Sequence, residues 1–138
     1  MSTAALVRDA FVSKDLKYKE FREMDDGATL MVAGFNGNMA TFDILMVFDK
    51  DDHTVMFRVS RLAKLPIDRQ FEVLSALNEL NREYRFVRFY TDQEDYVTVQ
   101  IDRIIAVNET ADPVMEMIAR ILRIIDEAYP RIMKAIWS

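Results

Sequence analysis

Apolar residues recur along the chain with two different periods, and each change of period marks a change of predicted secondary structure. Over residues 3–14 the apolar positions are spaced by three and four, which predicts a short amphipathic helix with Ser2 or Thr3 as its N-cap. From residue 18 to residue 59 the period falls to two, which is typical of β-strands. The chain therefore begins with a helix that is followed by a run of strands.

Turn residues divide this extended segment into a three-stranded antiparallel meander. The strongest turn signal is Asn36-Gly37, because both central positions of a type I′ turn need a positive φ. The predicted strands cover residues 29–35, 41–48 and 54–60. Residues 18–24 form either a weaker preceding strand or an extended lead-in, and the pattern leaves both alternatives open.

After Pro66 the spacing returns to a helical period and predicts a central helix that packs one face on the sheet. Its predicted buried stripe consists of Ile67, Phe71, Leu74, Leu77, Leu80 and Tyr84. Asn78 and Asn81 lie three residues apart near this stripe, and a buried amide without partners costs about 1–3 kcal/mol. The pattern favours a structural role, in which both side chains bond adjacent backbone, over the alternative of ligand contact.

Two further strands and a long helix complete the predicted order. The strands cover residues 86–90 and 96–102, and Asp112 as cap with Pro113 at the first helical position opens the C-terminal helix. Its apolar stripe is Val114, Ile118, Ile121, Ile125, Ala128, Ile132 and Ile136. Pro130 should kink or interrupt the helix, because its ring clashes with an earlier carbonyl. The result is an α+β fold of order α-β-β-β-α-β-β-α, with about five antiparallel strands flanked by three helices.

Composition supports one folded domain spanning residues 1–138. The chain is 51% hydrophobic and 30% charged with 3 Gly and 3 Pro, which is typical of a globular protein. Its formal net charge of −5 disfavours nucleic acid as a partner. The start of the chain lacks the pattern of a signal peptide, and no apolar stretch is long enough to span a membrane. With no cysteine present, we expect a cytoplasmic protein without membrane contact.

Residue types that carry chemistry do not form a recognisable catalytic set. The only histidine, His53, lies beside a hairpin turn, and neither Ser60 nor any cysteine forms a nucleophile setting with it. The acidic run 49–52 superficially resembles a calcium loop, but His53 occupies the next ligand position and the sharp-turn glycine is absent at Thr54. We therefore predict that the protein is not an enzyme and has no catalytic, cofactor-binding or metal-binding residues.

The chain contains more apolar residues than are needed to bury one face of the sheet and one narrow stripe on each helix. In the strand 41–48, Leu45 and Val47 lie on the face opposite Phe42, and further apolar residues widen the stripe of the C-terminal helix. The predicted interaction surface consists of Leu45, Met46, Val47, Leu122 and Ile125. It would bury against a second copy of the chain, as a homodimer, or against an extended segment of a client protein. A small-molecule sensor with a pocket between sheet and helices is the alternative.

The order of the elements and two short motifs resemble the YbjN-like family. The motifs are Leu77-Asn78-Glu79-Leu80-Asn81 in the central helix and Phe86-Val87-Arg88-Phe89 in the strand that follows. The resemblance implies a small bacterial protein of a kind labelled sensory transduction regulator. It also implies a fold similar to that of type III secretion chaperones, which bind polypeptide and commonly dimerise. No catalytic motif comes with the resemblance, and Asn78 and Asn81 are carried over as a structural signature.

Overall fold

The computed structural model describes residues 1–106 and 109–138, which form three α-helices and six strands. The elements are α1 (Thr3–Ser13), β1 (Glu20–Glu23), β2 (Thr29–Asn36), β3 (Thr41–Phe48), β4 (Thr54–Lys64), α2 (Gln70–Glu83), β5 (Arg88–Thr91), β6 (Tyr96–Ile104) and α3 (Asp112–Trp137). A 3₁₀ turn, Ile67–Arg69, leads into α2. The strands form one antiparallel sheet in the order β1-β2-β3-β4-β6-β5. The predicted α+β class is confirmed, with six strands in place of about five because β1 pairs with β2.

All three helices pack on the same face of the sheet, which we call the helix face. An aromatic pair joins each helix to a strand residue of this face. Phe11 of α1 packs against Phe35, Tyr129 of α3 against Phe42, and Tyr84, directly after α2, against Phe89. The opposite side, which we call the open face, carries Leu30, Val32, Leu45, Val47, Met56, Arg58 and Gln100 in cross-strand register.

The core lies between the helix face and α3. The seven predicted apolar positions of α3 are all buried, so the periodicity identified this seam correctly. Two of the residues predicted to form an interaction surface, Met46 and Ile125, are 0% exposed within the chain itself. Met46 alternates with Leu45 and points to the helix face, and Ile125 lies in the middle of the α3 seam. Both are therefore core residues and are not available to a partner.

The buried side of α2 differs from the predicted stripe. Val73, Leu77 and Leu80 are buried, whereas Ile67 and Phe71 are 87% and 80% exposed and Leu74 is 46% exposed. Two apolar stripes overlap on this helix, and helical period alone does not say which one meets the sheet. Packing on β5 and α3 selects the stripe that contains Val73, and it leaves the other on the outside.

The start and the late proline of α3 also differ from expectation. Asp112 is the first residue of the helix, and Ala111 occupies the N-cap position without a side-chain hydrogen bond. The helix is not interrupted at Pro130 but continues to Trp137. Pro130 is exposed, and its ring removes only one intrahelical bond, to the carbonyl of Asp126, on the solvent side where water can solvate the freed oxygen.

A long-range contact fixes the N-terminus of α1 to the turn between β3 and β4. The carboxylate of Asp52 accepts hydrogen bonds from the backbone N–H of Thr3 at 3.1 Å and from its hydroxyl at 3.0 Å. Thr3 is 2% exposed. An acidic group at a helix N-terminus also interacts favourably with the helix dipole. No helix in the described part of the chain is both long and apolar enough to cross a membrane.

Candidate functional site

Asn81, the second residue of the asparagine signature, is bonded to the free edge of the sheet. Its Oδ1 accepts a hydrogen bond from the N–H of Phe89 at 2.7 Å, and its Nδ2 donates to the carbonyl of Phe89 at 3.0 Å. Both backbone groups belong to one residue of an antiparallel strand, so they point to the same side, away from β6. The side chain thus takes the place of a neighbouring strand at the edge of β5.

Asn78, the first residue of the signature, lies on the outside of α2. It is exposed, and its side chain makes no hydrogen bond to the residues that the structure describes. Leu74, four residues earlier, is also on the exposed side, so the expectation that Asn78 lies close to the buried face is wrong. The two asparagines therefore have different surroundings, although the sequence presents them as a pair.

The exposed side of α2 forms a continuous strip, which we call the outer stripe of α2. It consists of Phe71, Leu74 and Asn78, at the spacing of residues that share one helix face, and of Ile67 in the 3₁₀ turn that leads into the helix. Acidic Asp68 lies at one end of this side and basic Arg82 at the other. An apolar strip with polar ends on a helix is a typical surface for packing against another polypeptide.

The open face of the sheet combines a modest apolar area with a polar network. Leu45 and Val47, both predicted as interaction residues, are half-buried there beside Val32 and Met56. Leu122, the remaining predicted residue, is half-buried on α3, on the other side of the sheet. The five predicted surface residues therefore do not form one surface.

Gln100 is the centre of the polar network on the open face. It is 7% exposed, and its Oε1 accepts hydrogen bonds from the hydroxyl of Tyr90 at 2.7 Å and from Nη2 of Arg58 at 3.1 Å. Its Nε2 donates to Asp102, which also receives a bond from Arg88. The network joins β4, β5 and β6 and makes this half of the open face polar.

A pocket of about 580 Å³ lies between the end of α2, the turn that follows it, β6 and the middle of α3. We call it the arginine pocket. It is lined by Glu83, Tyr84, Arg85, Phe86, Val87, Ile101, Met117, Arg120, Arg123, Ile124 and Glu127. Its position between sheet and helices is the one that the sensor alternative requires. Its lining residues are not identifiable from the sequence, because the walls come from segments separated by up to 44 positions.

Tyr84 and two carboxylates form a polar cluster beside this pocket. The hydroxyl of Tyr84 donates to Glu127 at 2.7 Å, and Glu83 is paired with Arg131. Partial burial, followed by the hydrogen bond to Glu127 and the nearby negative charge, raises the pKa of Tyr84 to about 12. The phenol is therefore neutral and acts as a donor over the whole physiological range.

Residues that could carry catalysis are not brought together. His53 is exposed in the turn before β4, and Ser60 follows it by seven positions along this strand, which separates them by about 23 Å. In the acidic run 49–52, the carboxylate of Asp49 accepts from the N–H of His53 at 2.6 Å and from the hydroxyl of Thr54 at 3.1 Å. Across the described residues, no group of three or more His, Asp or Glu side chains could hold a metal ion.

Taken together, the fold and these sites define a small α+β protein with an exposed helix stripe, an open sheet face and an arginine-lined pocket. Comparison with known families gives the affiliation. The chain belongs to the YbjN family, described as "Putative bacterial sensory transduction regulator", which matches residues 3–134. The resemblance identified in the sequence is thus confirmed. No curated protein matches the chain.

Two solved structures are similar to this fold. The crystal structure of YbjN, "a putative transcription regulator from E. coli", has a TM-score of 0.60 at 15% sequence identity and covers 91% of this chain and 87% of its own. The heterodimeric complex ExoU-SpcU from the type III secretion system of Pseudomonas aeruginosa includes a chain with a TM-score of 0.48 at 13% identity, covering 99% of this chain and 98% of its own. At these identities, the similarity to E. coli YbjN shows a shared fold.

Proposed function

We propose that this protein is a non-enzymatic regulatory module that acts in the cytoplasm by binding polypeptide, and that its working form is a homodimer. The observation that carries the proposal is the outer stripe of α2, where Ile67 and Phe71 are 87% and 80% exposed. Contiguous exposed apolar side chains rimmed by polar residues mark interaction sites. The description of the family as a sensory transduction regulator supports the regulatory role.

A second copy of the chain suits the outer stripe because the charges along this helix are self-complementary. Asp68 and Arg82 are exposed and lie seven positions before and after Ser75. If two α2 helices pack antiparallel about a two-fold axis at Ser75, Asp68 of each chain faces Arg82 of the other. Ser75 is small, so the two helices can approach closely at the crossing point, with Phe71 on either side.

Light scattering coupled to size exclusion over a dilution series tests this proposal. The wild-type chain should elute as a species of twice 16.1 kDa. Phe71→Ser should shift it to the monomer at concentrations where the wild type is a dimer, with an unchanged circular dichroism spectrum. Val12 is also exposed, at 66%, but lies on α1, so Val12→Ser is the matched control and should stay dimeric.

A charge exchange tests the orientation of the two helices. Asp68→Arg or Arg82→Asp alone should weaken the dimer, because each places like charges opposite one another. The double variant, Asp68→Arg with Arg82→Asp, should recover most of the lost affinity. If the double variant is weaker than both single variants, the two residues do not face each other and the antiparallel arrangement is wrong.

Leu45 and Val47 on the open face remain candidates for contact with a client segment. Threonine keeps the strand propensity and removes apolar surface, so Leu45→Thr with Val47→Thr leaves the sheet intact. We expect this variant to stay dimeric. If it dissociates and Phe71→Ser does not, the dimer forms through the sheet, and the assignment of α2 is overturned.

A small-molecule sensor is the second candidate function, and the arginine pocket is the observation that favours it. The pocket has the volume of a small-ligand site, about 300–1,000 Å³, and it mixes apolar walls with a few polar groups. A sensor and a binding module are compatible in one regulator, because a ligand between α2 and α3 contacts the helix that carries the outer stripe.

A further inference from the structure

The arginine pocket has an apolar floor and a basic rim. The floor is formed by Val87 and Ile101, which are 5% and 2% exposed, and by the half-buried side chains of Met117 and Ile124. The rim carries Arg85 from the turn after α2, and Arg120 and Arg123 from α3. The two kinds of surface lie side by side in a volume of about 580 Å³.

The carboxylates at the pocket are occupied by other partners. Glu83 is paired with Arg131, and Glu127 accepts the hydrogen bond of Tyr84. Arg120 is paired with Glu116 at 3.2 Å, one turn earlier on α3. Within the described part of the chain, Arg85 and Arg123 form no ion pair. The bond from the neutral phenol of Tyr84 leaves the charge of Glu127 in place, so the unpaired groups of the lining are two cations and one carboxylate, and the balance is positive.

This concentration of positive charge stands out against the rest of the molecule. The whole chain has a formal net charge of −5, so the basic rim is a local feature of an otherwise acidic protein. Guanidinium groups bind carboxylate and phosphate through two parallel N–H···O bonds, because their planar fork of donors matches two oxygens of the anion. The rim therefore has the chemistry of an oxyanion site.

The turn that supplies Arg85 has an unusual backbone. Phe86 has φ of 69° and a side chain that is 80% exposed at the mouth of the pocket. L-residues with large side chains rarely adopt this left-handed conformation, and such positions cluster at ligand-binding sites. The conformation places an aromatic ring at the edge of the apolar floor.

We propose that the arginine pocket binds a small amphipathic anion. Its carboxylate or phosphate head binds Arg85 and Arg123, and its apolar body lies on Val87, Ile101, Met117 and Ile124. A small molecule suits the pocket better than a polymer, because the apolar floor is confined to this volume and the net charge of the chain repels nucleic acid. This inference specifies the ligand of the sensor function, and it does not depend on self-association through α2.

Paired fluorescent probes test the inference on the purified full chain. Anilinonaphthalene sulfonate has an aromatic body with an oxyanion, and N-phenyl-1-naphthylamine has a similar body without charge. Arg85→Gln with Arg123→Gln should weaken sulfonate binding by about tenfold or more and change binding of the neutral probe by less than about twofold. Lys17→Gln with Lys50→Gln, two exposed positions outside the pocket, removes the same total charge and should leave both affinities unchanged.

Competition with the sulfonate probe then identifies the head group of the ligand, and nuclear magnetic resonance locates the binding site. Octanoate or octyl phosphate should displace the sulfonate probe, whereas octanol should not. The competitor with the higher affinity shows whether the preferred head group is a carboxylate or a phosphate. Amide shifts should concentrate at Val87, Ile101 and Ile124. Three outcomes would each overturn the inference. They are unchanged sulfonate binding in the arginine variant, an equal loss of sulfonate binding in the lysine variant, and amide shifts confined to the outer stripe of α2. Phe71→Ser should still bind the probe, so failure of the dimer proposal and failure of this inference are distinguishable.

Discussion

The side-chain amide of Asn81 pairs with the backbone of Phe89 as a neighbouring strand would, accepting from its N–H at 2.7 Å and donating to its carbonyl at 3.0 Å. β5 is one of the two edge strands of the sheet and has only four residues. Unpaired backbone groups at a sheet edge are a template for pairing with another chain. Asn81 satisfies the two groups of Phe89 from within the molecule, so α2 takes the place of a neighbouring strand at this point of the edge.

Replacement of Asn81 should therefore destabilise the fold and expose this edge. We expect Asn81→Ala to lower the free energy of unfolding by about 1–3 kcal/mol, because the N–H and carbonyl of Phe89 lose their partners. Urea unfolding followed by circular dichroism measures the change. Asn78→Ala is the matched control and should cost less than about 0.5 kcal/mol, because Asn78 is exposed on the same helix and its side chain forms no hydrogen bond with described residues. Equal losses for both variants would contradict the different roles assigned to the two asparagines.

Phe86 provides a test of backbone strain at the mouth of the arginine pocket. Its φ of 69° disfavours any L-residue, by about 1–2 kcal/mol, and Gly relieves this cost at the expense of greater freedom in the unfolded chain. We expect Phe86→Gly to leave the free energy of unfolding unchanged or to raise it by up to about 1 kcal/mol. Thermal and urea unfolding measure the effect.

Phe71 is the control for this substitution, because it is equally exposed, at 80%, but lies inside α2. Phe71→Gly should lower the free energy of unfolding by about 0.5–1 kcal/mol through the poor helix propensity of Gly. Measurements at a concentration where both variants are monomeric keep self-association out of the comparison. A loss at Phe86 as large as that at Phe71 would show that the ring of Phe86 contributes more to stability than its backbone conformation costs.

Tyr84 should make stability depend on pH in the alkaline range. Partial burial, with the hydrogen bond to Glu127, raises its pKa to about 12 in the folded chain, against 10.0 for the ordinary phenol. Because the pKa is raised in the folded chain, the neutral phenol of Tyr84 contributes its full stabilisation of the fold below pH 10, and this contribution is lost as the pH rises toward 12. The difference in unfolding free energy between the wild type and Tyr84→Phe should therefore be constant up to about pH 9 and shrink above it. A difference that is independent of pH up to 12 would contradict this interpretation.

The contact between Asp52 and Thr3 should account for a measurable part of the stability of α1. Asp52→Gly removes the carboxylate that accepts from the first residue of the helix, Thr3, and should lower the free energy of unfolding by about 1 kcal/mol. Asp15→Gly is the control, because Asp15 has nearly the same φ, 56° against 58°, and its side chain forms no hydrogen bond with described residues. It should be neutral or slightly stabilising, since Gly tolerates this φ without strain. Urea unfolding of both variants gives the comparison, and equal effects would show that the cap contributes nothing.

Asp49 adds a smaller dependence at acid pH. Although partial desolvation opposes the effect, hydrogen bonds from His53 and Thr54 hold the pKa of Asp49 below its ordinary value. A lowered pKa means that this contribution is present above about pH 4 and is lost as the pH falls through the value in the folded chain. It therefore acts in the opposite direction to that of Tyr84, at the other end of the pH range.

The sequence by itself determined the elements and their order. Periods of two and of three to four residues mark where strands and helices lie, because side chains alternate across a strand and return to one face of a helix. The meander and the α3 seam are readable in this way, whereas the family rests on the resemblance of two short motifs. β1 has a weak sequence signal, because Phe21 is the single apolar residue among its four positions, and the pattern there fits both a strand and an extended lead-in.

Only the tertiary structure decided which surfaces face outward. On α2 two apolar stripes compete, and the contacts with β5 and α3 bury the one that contains Val73 and leave Phe71 exposed. The contact between Asp52 and Thr3 and the walls of the arginine pocket depend on groups that are distant in sequence, so no local pattern encodes them. Periodicity shows which residues share a face of a helix or strand. Which surface that face packs against depends on the tertiary structure, and so do the candidate sites of this protein.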